Sequence, residues 1–334
     1  MSKGVKSCKM NNAYSEEHIK TIKEYIKQNA YATNYTKPLL TLIFILSLLF
    51  ILLYLIKITD NYYIIFILTL CLALVLMKMF MIFHDLCHKS YFPTNERKEK
   101  KKGFNMSVAK LIDVFCLYDA NHWESLHSTH HKLHGNLNEY DATRTVLTSS
   151  EYEKLSENKK LLYKILRNPI IFFIFTPIYI YWVNKIINGD IEYLIKYSIL
   201  LFILYKIGSI KLVLCFVLAQ YIGGFLGIMM FHLQHQVNIG YWKPIENGDQ
   251  LSKDNAELLG ASVIKIPPFI DYFTSGIEYH NIHHLDPGIP GYNIKKCYNE
   301  LCALGLIPDN KIGYKQQYDS LFYTIFNEKT EKYE

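Results

Sequence analysis

Two runs of the sequence are too long and too apolar to be ordinary helices of a soluble domain. Residues 39–56 contain 18 consecutive uncharged side chains, which as a helix would be about 27 Å long. That length matches the hydrocarbon core of a bilayer, about 30 Å. Residues 62–83 form a second run whose only charge is Lys78, and a long lysine side chain near a helix end can extend to the interface. Because Asp60 and Asn61 separate the runs, we predict a hairpin of membrane-spanning helices.

The middle of the chain carries three further apolar stretches. Residues 212–231 are strongly apolar, residues 169–184 contain Pro177, and residues 191–205 are interrupted by two charges. Buried helices of a large soluble protein would explain one such run, but three runs near spanning length favour a membrane protein. We predict an all-α, polytopic membrane protein with about four transmembrane helices. The predicted spans lie near 39–57 and 62–83, with two more among 169–186, 191–208 and 212–231.

The charges of the loops predict the orientation of these helices. Lysines are concentrated before the first run and after the second, whereas the turn between them has only Lys57 against Asp60. By the positive-inside rule, the N-terminus and the region after residue 83 then lie in the cytosol. The basic residues are Lys3, Lys6, Lys9, Lys20, Lys23, Lys27, Lys37, Arg97, Lys98, Lys100, Lys101, Lys102 and Lys110. We expect a cytosolic segment at 1–38 and a membrane domain at 39–334, in the endoplasmic reticulum of a eukaryotic or virally infected cell or in a bacterial inner membrane.

Charge and cysteine content exclude other classes of protein. The formal net charge is +6, and no basic face alternates with stacking aromatic residues, so nucleic-acid binding is not predicted. The seven cysteines form no CxxC pair and have no regular spacing. This favours free thiols in parts of the protein that face a reducing compartment.

The distribution of histidine predicts a metal site. Of the 13 histidines, only His18 lies outside four short clusters. Spacings of three and four residues place the imidazoles of a cluster on one helix face, with Cβ atoms about 6 Å apart. Two clusters share the HxxHH pattern, and two others lie where an apolar run ends. The clusters are His84 and His88; His122, His127, His130, His131 and His134; His232 and His235; and His280, His283 and His284.

The number of imidazole ligands indicates the kind of metal site better than the ligand type does. Imidazole binds zinc, copper, iron and nickel alike, whereas one tetrahedral zinc takes only three or four protein ligands. The clustered histidines are numerous enough for two metal ions with room for water or oxygen, which suits oxygen activation beside a lipid. Two other functions remain open on the residues alone. They are a zinc-dependent membrane hydrolase and a non-enzymatic metal transporter or sensor.

The order of the motifs resembles the integral-membrane fatty acid desaturase family. HDxxH, W-x3-HxxHH, LQH and a second HxxHH follow one another within residues 39–300. Residues 276–292, GIEYHNIHHLDPGIPGY, look very like the third histidine box of that family, most of all in its acyl-lipid desaturases. The RNP triplet at 167–169 and the TP pair at 176–177 are similar to the segment after the second box.

Two positions depart from the family's common pattern. Cys87 stands where glycine is frequent, and His232 stands where an aromatic residue is frequent. Neither departure removes an expected ligand, so every metal ligand that the family pattern requires has a matching histidine in this sequence.

The resemblance implies a non-haem di-iron centre. Such enzymes use O2 and two electrons to remove two hydrogens from adjacent carbons of an acyl chain, which leaves a cis double bond. The substrate would be an acyl lipid or an acyl thioester at the membrane. Because the sequence has neither a haem-binding domain nor a ferredoxin-type cysteine run, we expect the electrons to come from a separate cytochrome b5 or ferredoxin. The implied iron ligands are His84, His88, His127, His130, His131, His235, His280, His283 and His284.

Four polar residues beside these ligands are expected to orient imidazoles through hydrogen bonds. They are Asp85, Asp141, Gln234 and Glu278. His122 and His134 are expected near the ligands rather than among them, and the LQH motif favours His235 over His232. Trp123 is expected as an interface anchor or a pocket wall.

The resemblance leaves the outcome of oxygen activation open. A lipid hydroxylase, ketolase or acetylenase of the same superfamily would share the fold and the histidines. Residues of the acyl pocket decide between loss of two hydrogens and insertion of oxygen, so the sequence does not rank these reactions.

If the four histidine clusters form one metal centre, they must all lie on the same side of the membrane. Between His131 and His235 the chain must then cross an even number of times, although three apolar stretches lie there. We expect one of them, 169–184 or 191–205, to be interfacial or re-entrant. The predicted architecture is four spans and a cytosolic helical cap that holds a His-rich di-metal site.

Overall fold

The structure, a computed structural model, is a bundle of long apolar helices with a helical cap at one end. It describes residues 13–29, 34–93, 103–139, 144, 146–236 and 242–334. Asp141 and the basic residues at 3–9 and 97–102 lie outside that part of the chain. Helices dominate and the only sheet in the described residues is very small, which confirms the predicted all-α class.

The helices and strands are the following, in chain order. They are α1 (Glu16–Gln28), α2 (Thr36–Ile58), α3 (Tyr62–Cys87), α4 (Phe104–Ile112), a 3-10 turn (Asp113–Phe115), α5 (Ala120–Leu133), β1 (Leu147–Thr148), α6 (Ser149–Glu153), α7 (Glu157–Leu166), α8 (Pro169–Ile178), a π-helical turn (Tyr179–Val183), α9 (Asn184–Ile187), α10 (Ile191–His235), α11 (Gln250–Gly260), α12 (Asp271–Thr274), α13 (His280–Leu285), α14 (Gly291–Ala303), α15 (Tyr314–Ser320), β2 (Ile325–Asn327) and β3 (Lys332–Tyr333). Strand β2 pairs in parallel with β1 and antiparallel with β3.

The predicted hairpin of apolar helices is formed by α2 and α3. The side chain of Asn61 accepts hydrogen bonds from two backbone N–H groups of the first turn of α3, which starts the second helix. Ile45 and Leu72 are fully buried in the core that the two helices share. On the outer side, Leu40 and Phe50 are each 61% exposed. A surface of large exposed apolar side chains is what lipid contact requires.

Helix α10 is two helices that reverse at Gly208 and Ser209, where the backbone leaves helical geometry. The hydroxyl of Tyr197 donates to Gln220 Oε1 at 2.7 Å, although 23 residues of unbroken helix would hold them about 34 Å apart. Next to the reversal, Lys211 Nζ donates to carbonyls in the turn between α2 and α3. The two arms of α10 therefore lie antiparallel, and their turn is at the same end of the bundle as the α2–α3 turn.

Four helical segments of the described chain are long and apolar enough to cross a bilayer, judged by length and composition. They are Thr36–Ile58, Tyr62–Cys87, Pro169–Ile187 and Ile191–His235, the last containing the reversal. The Pro169–Ile187 stretch lies beside the end of α10 that is remote from the reversal, because Phe173 packs on His232 and Tyr181 packs on Gly224. An interfacial placement of 169–184 stays a prediction.

The cap is built from α1, α11, α13 and α14 around a second apolar core. Ile22, Ile282, Ile294 and Tyr298 are completely buried there. Helix α13, which carries the last histidine cluster, is buried along its whole length. The cap thus presents one histidine-bearing helix to the end of the membrane-type bundle.

The prediction that Lys78 extends to the membrane interface is wrong. Instead of extending to an interface it is 6% exposed, and its Nζ donates to the carbonyl of Tyr272 at 2.7 Å and to Ser275 Oγ at 2.6 Å. Helix α12 and the turn after it cover α3 at this level, so protein oxygens satisfy the ammonium group. Lys78 therefore connects α3 to the segment that leads into α13.

The close contact at the reversal makes Gly208 sensitive to substitution. A Cβ at residue 208 would lie 2.5 Å from Leu212 Cδ2 and 2.9 Å from Leu212 Cβ. We expect Gly208→Ala to reduce the free energy of unfolding by about 1–3 kcal/mol through overpacking. Thermal unfolding in detergent measures the change. Gly227→Ala on the same helix is the control, since nothing lies within 4 Å of its Cβ position and alanine is the better helix former. Equal unfolding midpoints for the two variants would contradict the packing described for the reversal.

Candidate metal centre

The end of α3 brings the first two histidines to the cap. His84 and His88 follow one another on one helix face, with ring centroids 4.7 Å apart. Asp85 Oδ1 lies 3.1 Å from His84 Nδ1, and its Oδ2 accepts from the backbone N–H of Gly291 at 2.7 Å. A carboxylate in that position holds the imidazole with Nδ1 protonated and leaves Nε2 free for a metal. The orienting role of Asp85 stays a prediction, for which this contact supplies the required geometry.

Helix α5 supplies the second cluster. The side chain of Asp119 accepts from the backbone N–H of His122 at 2.9 Å and starts the helix. The ring of Trp123, which lies within the first turn and a half of this helix, stacks on His127 with centroids 4.3 Å apart. Phe83 packs against the same indole at 5.4 Å. Trp123 is thus an apolar wall beside the histidines.

The end of α10 and helix α13 supply the other imidazoles. His280 Nε2 lies 2.9 Å from His235 Nε2 and 3.1 Å from His284 Nε2. Gln234 donates from Nε2 to the carbonyl of Ile277 at 2.8 Å, which ties α10 to the segment before α13. Gln234 therefore positions a backbone segment rather than an imidazole.

The histidines form two groups, each with four ring nitrogens within 4.8 Å of one another. The first group is His84, His88, His127 and His283, and the second group is His130, His235, His280 and His284. His131 lies between the groups. Its Nε2 is 3.1 Å from both His127 Nε2 and His283 Nε2, and its ring stacks on His284 at 4.3 Å. All nine ligands that the resemblance implied are therefore brought together.

The separations between nitrogens fit metal ions better than they fit hydrogen bonds alone. A neutral imidazole has one N–H, so His131 Nε2 cannot donate to two neighbouring Nε2 atoms at once. Two nitrogens bound at about 2.1 Å to one ion, at a right angle, lie about 3.0 Å apart. The distances from His280 to His235 and His284, 2.9 and 3.1 Å, match that value within the second group. For the first group the matching distances, both 3.1 Å, run from His131 to His127 and His283. The second group, and the first together with His131, can thus each hold one ion.

The surroundings keep several of these imidazoles in the form that binds metal. Burial, together with the neighbouring imidazoles, lowers the pKa of His131, His283 and His284 well below the ordinary value. A lowered pKa means a neutral ring at pH 7, and a neutral ring has the lone pair that a metal needs. The Nδ1 atoms of these three residues are buried without a hydrogen-bond partner.

The remaining predicted site residues occupy different places. His232 lies outside both groups, and its Nε2 contacts the carbonyl of Ser320 at 2.9 Å. His134 is 2% exposed, with its ring 4.3 Å from that of His284, so it borders the second group. His122 is exposed on α5. Glu278 accepts from Thr274 Oγ1 at 2.6 Å, and burial raises the pKa of its carboxyl.

The C-terminal segment contributes contacts that the sequence did not predict. Tyr333 donates from its hydroxyl to the carbonyl of His235 at 2.9 Å, across 98 residues of sequence. The Ser320 carbonyl contacts His232 one turn earlier on α10. These two contacts fix the end of the helix that carries His235. No spacing or motif signals them, because both partners are distant in sequence and one atom of each pair belongs to the backbone.

Long apolar helices, with two four-histidine groups at one end of the bundle that could each hold a metal ion, define a membrane-type protein with a candidate metal centre. The chain belongs to the fatty acid desaturase family, whose model matches residues 61–318. It is 30% identical over 284 residues to a protein named fatty acid desaturase from Bacillus subtilis (strain 168), covering 80% of this chain and 77% of that one. It is 23% identical over 244 residues to the sn-1 oleoyl-lipid 12-desaturase of a Picosynechococcus species, covering 66% of this chain and 63% of that one.

Membership of the family establishes the general activity. The chain is a desaturase, an oxidoreductase that acts on fatty acyl chains and uses O2. Proteins of this family generally depend on metal, and the two groups of histidines are where this chain can hold it.

The contact between Asp85 and His84 predicts a defect in metal binding. Asp85→Asn removes the negative charge that holds the imidazole and should weaken affinity for one metal about 10- to 100-fold. Titration of the purified, metal-depleted protein with Fe(II) measures the effect. Asp60→Asn is the matched control, because that carboxylate is fully exposed in the α2–α3 turn. If both variants bind iron as tightly as the unchanged protein, Asp85 does not orient a ligand.

Proposed function

We propose that this protein is an O2-dependent acyl-lipid desaturase with a di-iron centre. The observation that supports this most strongly is the pair of adjacent four-imidazole groups with His131 between them. His84, His88, His127 and His283 would hold one iron, His130, His235, His280 and His284 the other, and His131 would complete the set. Zinc is the weaker candidate since it has no redox chemistry, whereas imidazole suits iron.

The proposed reaction converts two adjacent CH2 groups into a cis CH=CH pair. One O2, two electrons from a donor and two protons are consumed, and two water molecules form with the hydrogens removed from the chain. The bound iron would supply the oxidation of unactivated C–H bonds, which no protein side chain provides. The residues of this chain hold the imidazoles in place, keep them neutral, and exclude water from the acyl chain.

The aromatic side chains around the first group suit the exclusion of water. Trp123 stacks on His127 and contacts Phe83 and Phe80, whose rings lie 5.4 and 5.9 Å from the indole. An acyl chain passing beside these rings would meet apolar surface up to the imidazoles. An acyl lipid as substrate is supported by the Picosynechococcus relative, which is named for action on an oleoyl lipid.

We also propose how the protein lies in the membrane and where its electrons come from. Helices α2 and α3 and the two arms of α10 would cross the bilayer, and Pro169–Ile187 would lie at its cytosolic interface. The histidines would then face the cytosol, where a separate cytochrome b5 or ferredoxin would supply electrons. The antiparallel arms of α10 support this arrangement, since they bring α3 and α10 to one end of the bundle.

Expression in a host with a compatible electron donor tests the proposed reaction. The unchanged protein should produce a new unsaturated fatty acid in the total lipid profile, measured by gas chromatography. His283→Ala should abolish the product, because the first group would lose a ligand. His122→Ala is the control, as His122 is exposed on α5 and belongs to neither group. A hydroxylated product would instead favour the hydroxylase reading, and product from His283→Ala would contradict the assigned ligands.

Labelling of engineered tags tests the proposed orientation. Tags inserted after residues 135 and 240 should both react in the cytosol, and a tag in the α2–α3 turn should be protected from cytosolic reagents. The expectation follows from an even number of crossings between the second and third histidine clusters. Tags after 135 and 240 on opposite sides would show the topology to be wrong.

A further inference from the structure

Arg167 is a buried charge for which the described part of the chain supplies no ion-pair partner. The residue is 7% exposed at the end of α7, and its Nε is buried without a hydrogen-bond partner. Within the described residues no carboxylate neutralises it; the phenol of Tyr163 is its electrostatic partner on α7, and its positive charge also acts on His232. An arginine keeps its proton in a protein, so it cannot escape the cost of burial by becoming neutral.

The guanidinium is held in place by an aromatic face rather than by an acid. Its Cζ lies 4.2 Å from the centroid of Phe172, a cation–π contact. Such a contact covers one face of the planar fork and does not use its N–H groups, of which Nε–H has no hydrogen-bond partner. Burial lowers the pKa of Arg167, in keeping with a site that disfavours an uncompensated charge.

The location of Arg167 connects a membrane interface to the metal centre. Helix α7 exposes Leu161, Leu162 and Leu166 together with lysines, as amphipathic helices do at the surface of a bilayer. Asn168 caps the apolar helix α8 immediately after Arg167. On the inner side, the Phe172 ring lies 6.2 Å from that of His232, one helical turn before His235 of the second group.

We propose that Arg167 binds a phosphate oxygen of the substrate and so anchors the head of the molecule whose acyl chain is desaturated. The planar fork of arginine matches two phosphate oxygens, and basic pockets at the cytoplasmic ends of membrane helices bind lipid headgroups. The inference rests on the proposed function and adds the chemical class of the substrate's head. A phospholipid and an acyl-coenzyme A both carry such a phosphate.

The anchor would also determine where the double bond forms. With the phosphate held at Arg167, the acyl chain would extend past Phe172 and Phe173, the second of which packs on His232. The methylene pair that reaches the metals would then be counted from the headgroup.

Thermal unfolding of the purified metal-loaded protein in an uncharged detergent tests the proposal without turnover. Three ligands with the same acyl chain are compared: phosphatidylglycerol, an uncharged diglucosyl diacylglycerol and an acyl-coenzyme A. We expect at least one phosphate-bearing ligand to raise the unfolding midpoint of the unchanged protein more than the uncharged lipid does. The one that does so identifies the source of the phosphate. If all three ligands shift the unfolding midpoint of the unchanged protein equally, the proposal is overturned without any need for variants.

Variants then assign the effect to this side chain. Arg167→Gln should require at least tenfold more of the effective ligand for the same shift, the loss expected for a charge-assisted hydrogen bond. Arg167→Lys keeps the charge but lacks the planar fork. The amount of ligand that it requires should lie between the amounts required by the unchanged protein and by Arg167→Gln. Lys164→Gln, an exposed charge on the same helix, should behave like the unchanged protein. If Arg167→Gln responds to the ligand as the unchanged protein does, the assignment is contradicted. If Arg167→Gln does not fold, the ligand response of Arg167→Lys decides, and a response equal to that of the unchanged protein contradicts the assignment.

These outcomes are separate from those of the proposed reaction. Ligand binding is measured without O2, electrons or product, so a failure of desaturation in cells would leave the anchor intact. Conversely, a desaturase that binds the three ligands equally would keep its proposed function and lose the anchor.

Discussion

The arrangement of nine imidazoles from four separate segments, seven of them buried and two partly buried, is the constraint on which the rest of the structure depends. Ring nitrogens approach to between 2.9 and 3.1 Å in a region with little water, where a protonated ring would repel its neighbours strongly. Three of the four segments are each fixed by a contact of their own. Asp85, in the last turn of α3, accepts from the backbone N–H of Gly291, Asp119 caps α5, and Tyr333 holds the end of α10.

The apolar bundle and the cap have complementary tasks. The α2–α3 hairpin and the reversal within α10 bring the ends of α3 and α10 together, and both ends carry histidines. The cap adds α13, whose three histidines enter both groups. Lys78 joins the two parts, because an amine on α3 donates to the segment that leads into α13. Under the proposed function, a metal pair at that boundary would meet lipid from one side and a soluble electron donor from the other.

Local patterns in the sequence predicted the helices and the histidines, whereas long-range contacts were not predictable. Spacings within HDxxH and HxxHH are set by helix geometry, so one sequence suffices to put their rings on one face. In the sequence, 191–205 and 212–231 are likewise separate apolar stretches, and the structure reverses between them. By contrast, the burial of Lys78 and the bond from Tyr333 to His235 depend on residues that only the fold brings near. Glu278 and Gln234 were expected on imidazoles and lie instead on Thr274 and on the backbone of Ile277.

The count of metal ions per chain tests the central claim most directly. Elemental analysis of protein purified from iron-supplemented cells should give two iron ions per chain, one for each group of four imidazoles. His84→Ala and His284→Ala should each lower the count towards one, since the two residues belong to different groups. A single zinc ion per chain, or loss of all metal from either variant alone, would contradict two separate iron sites.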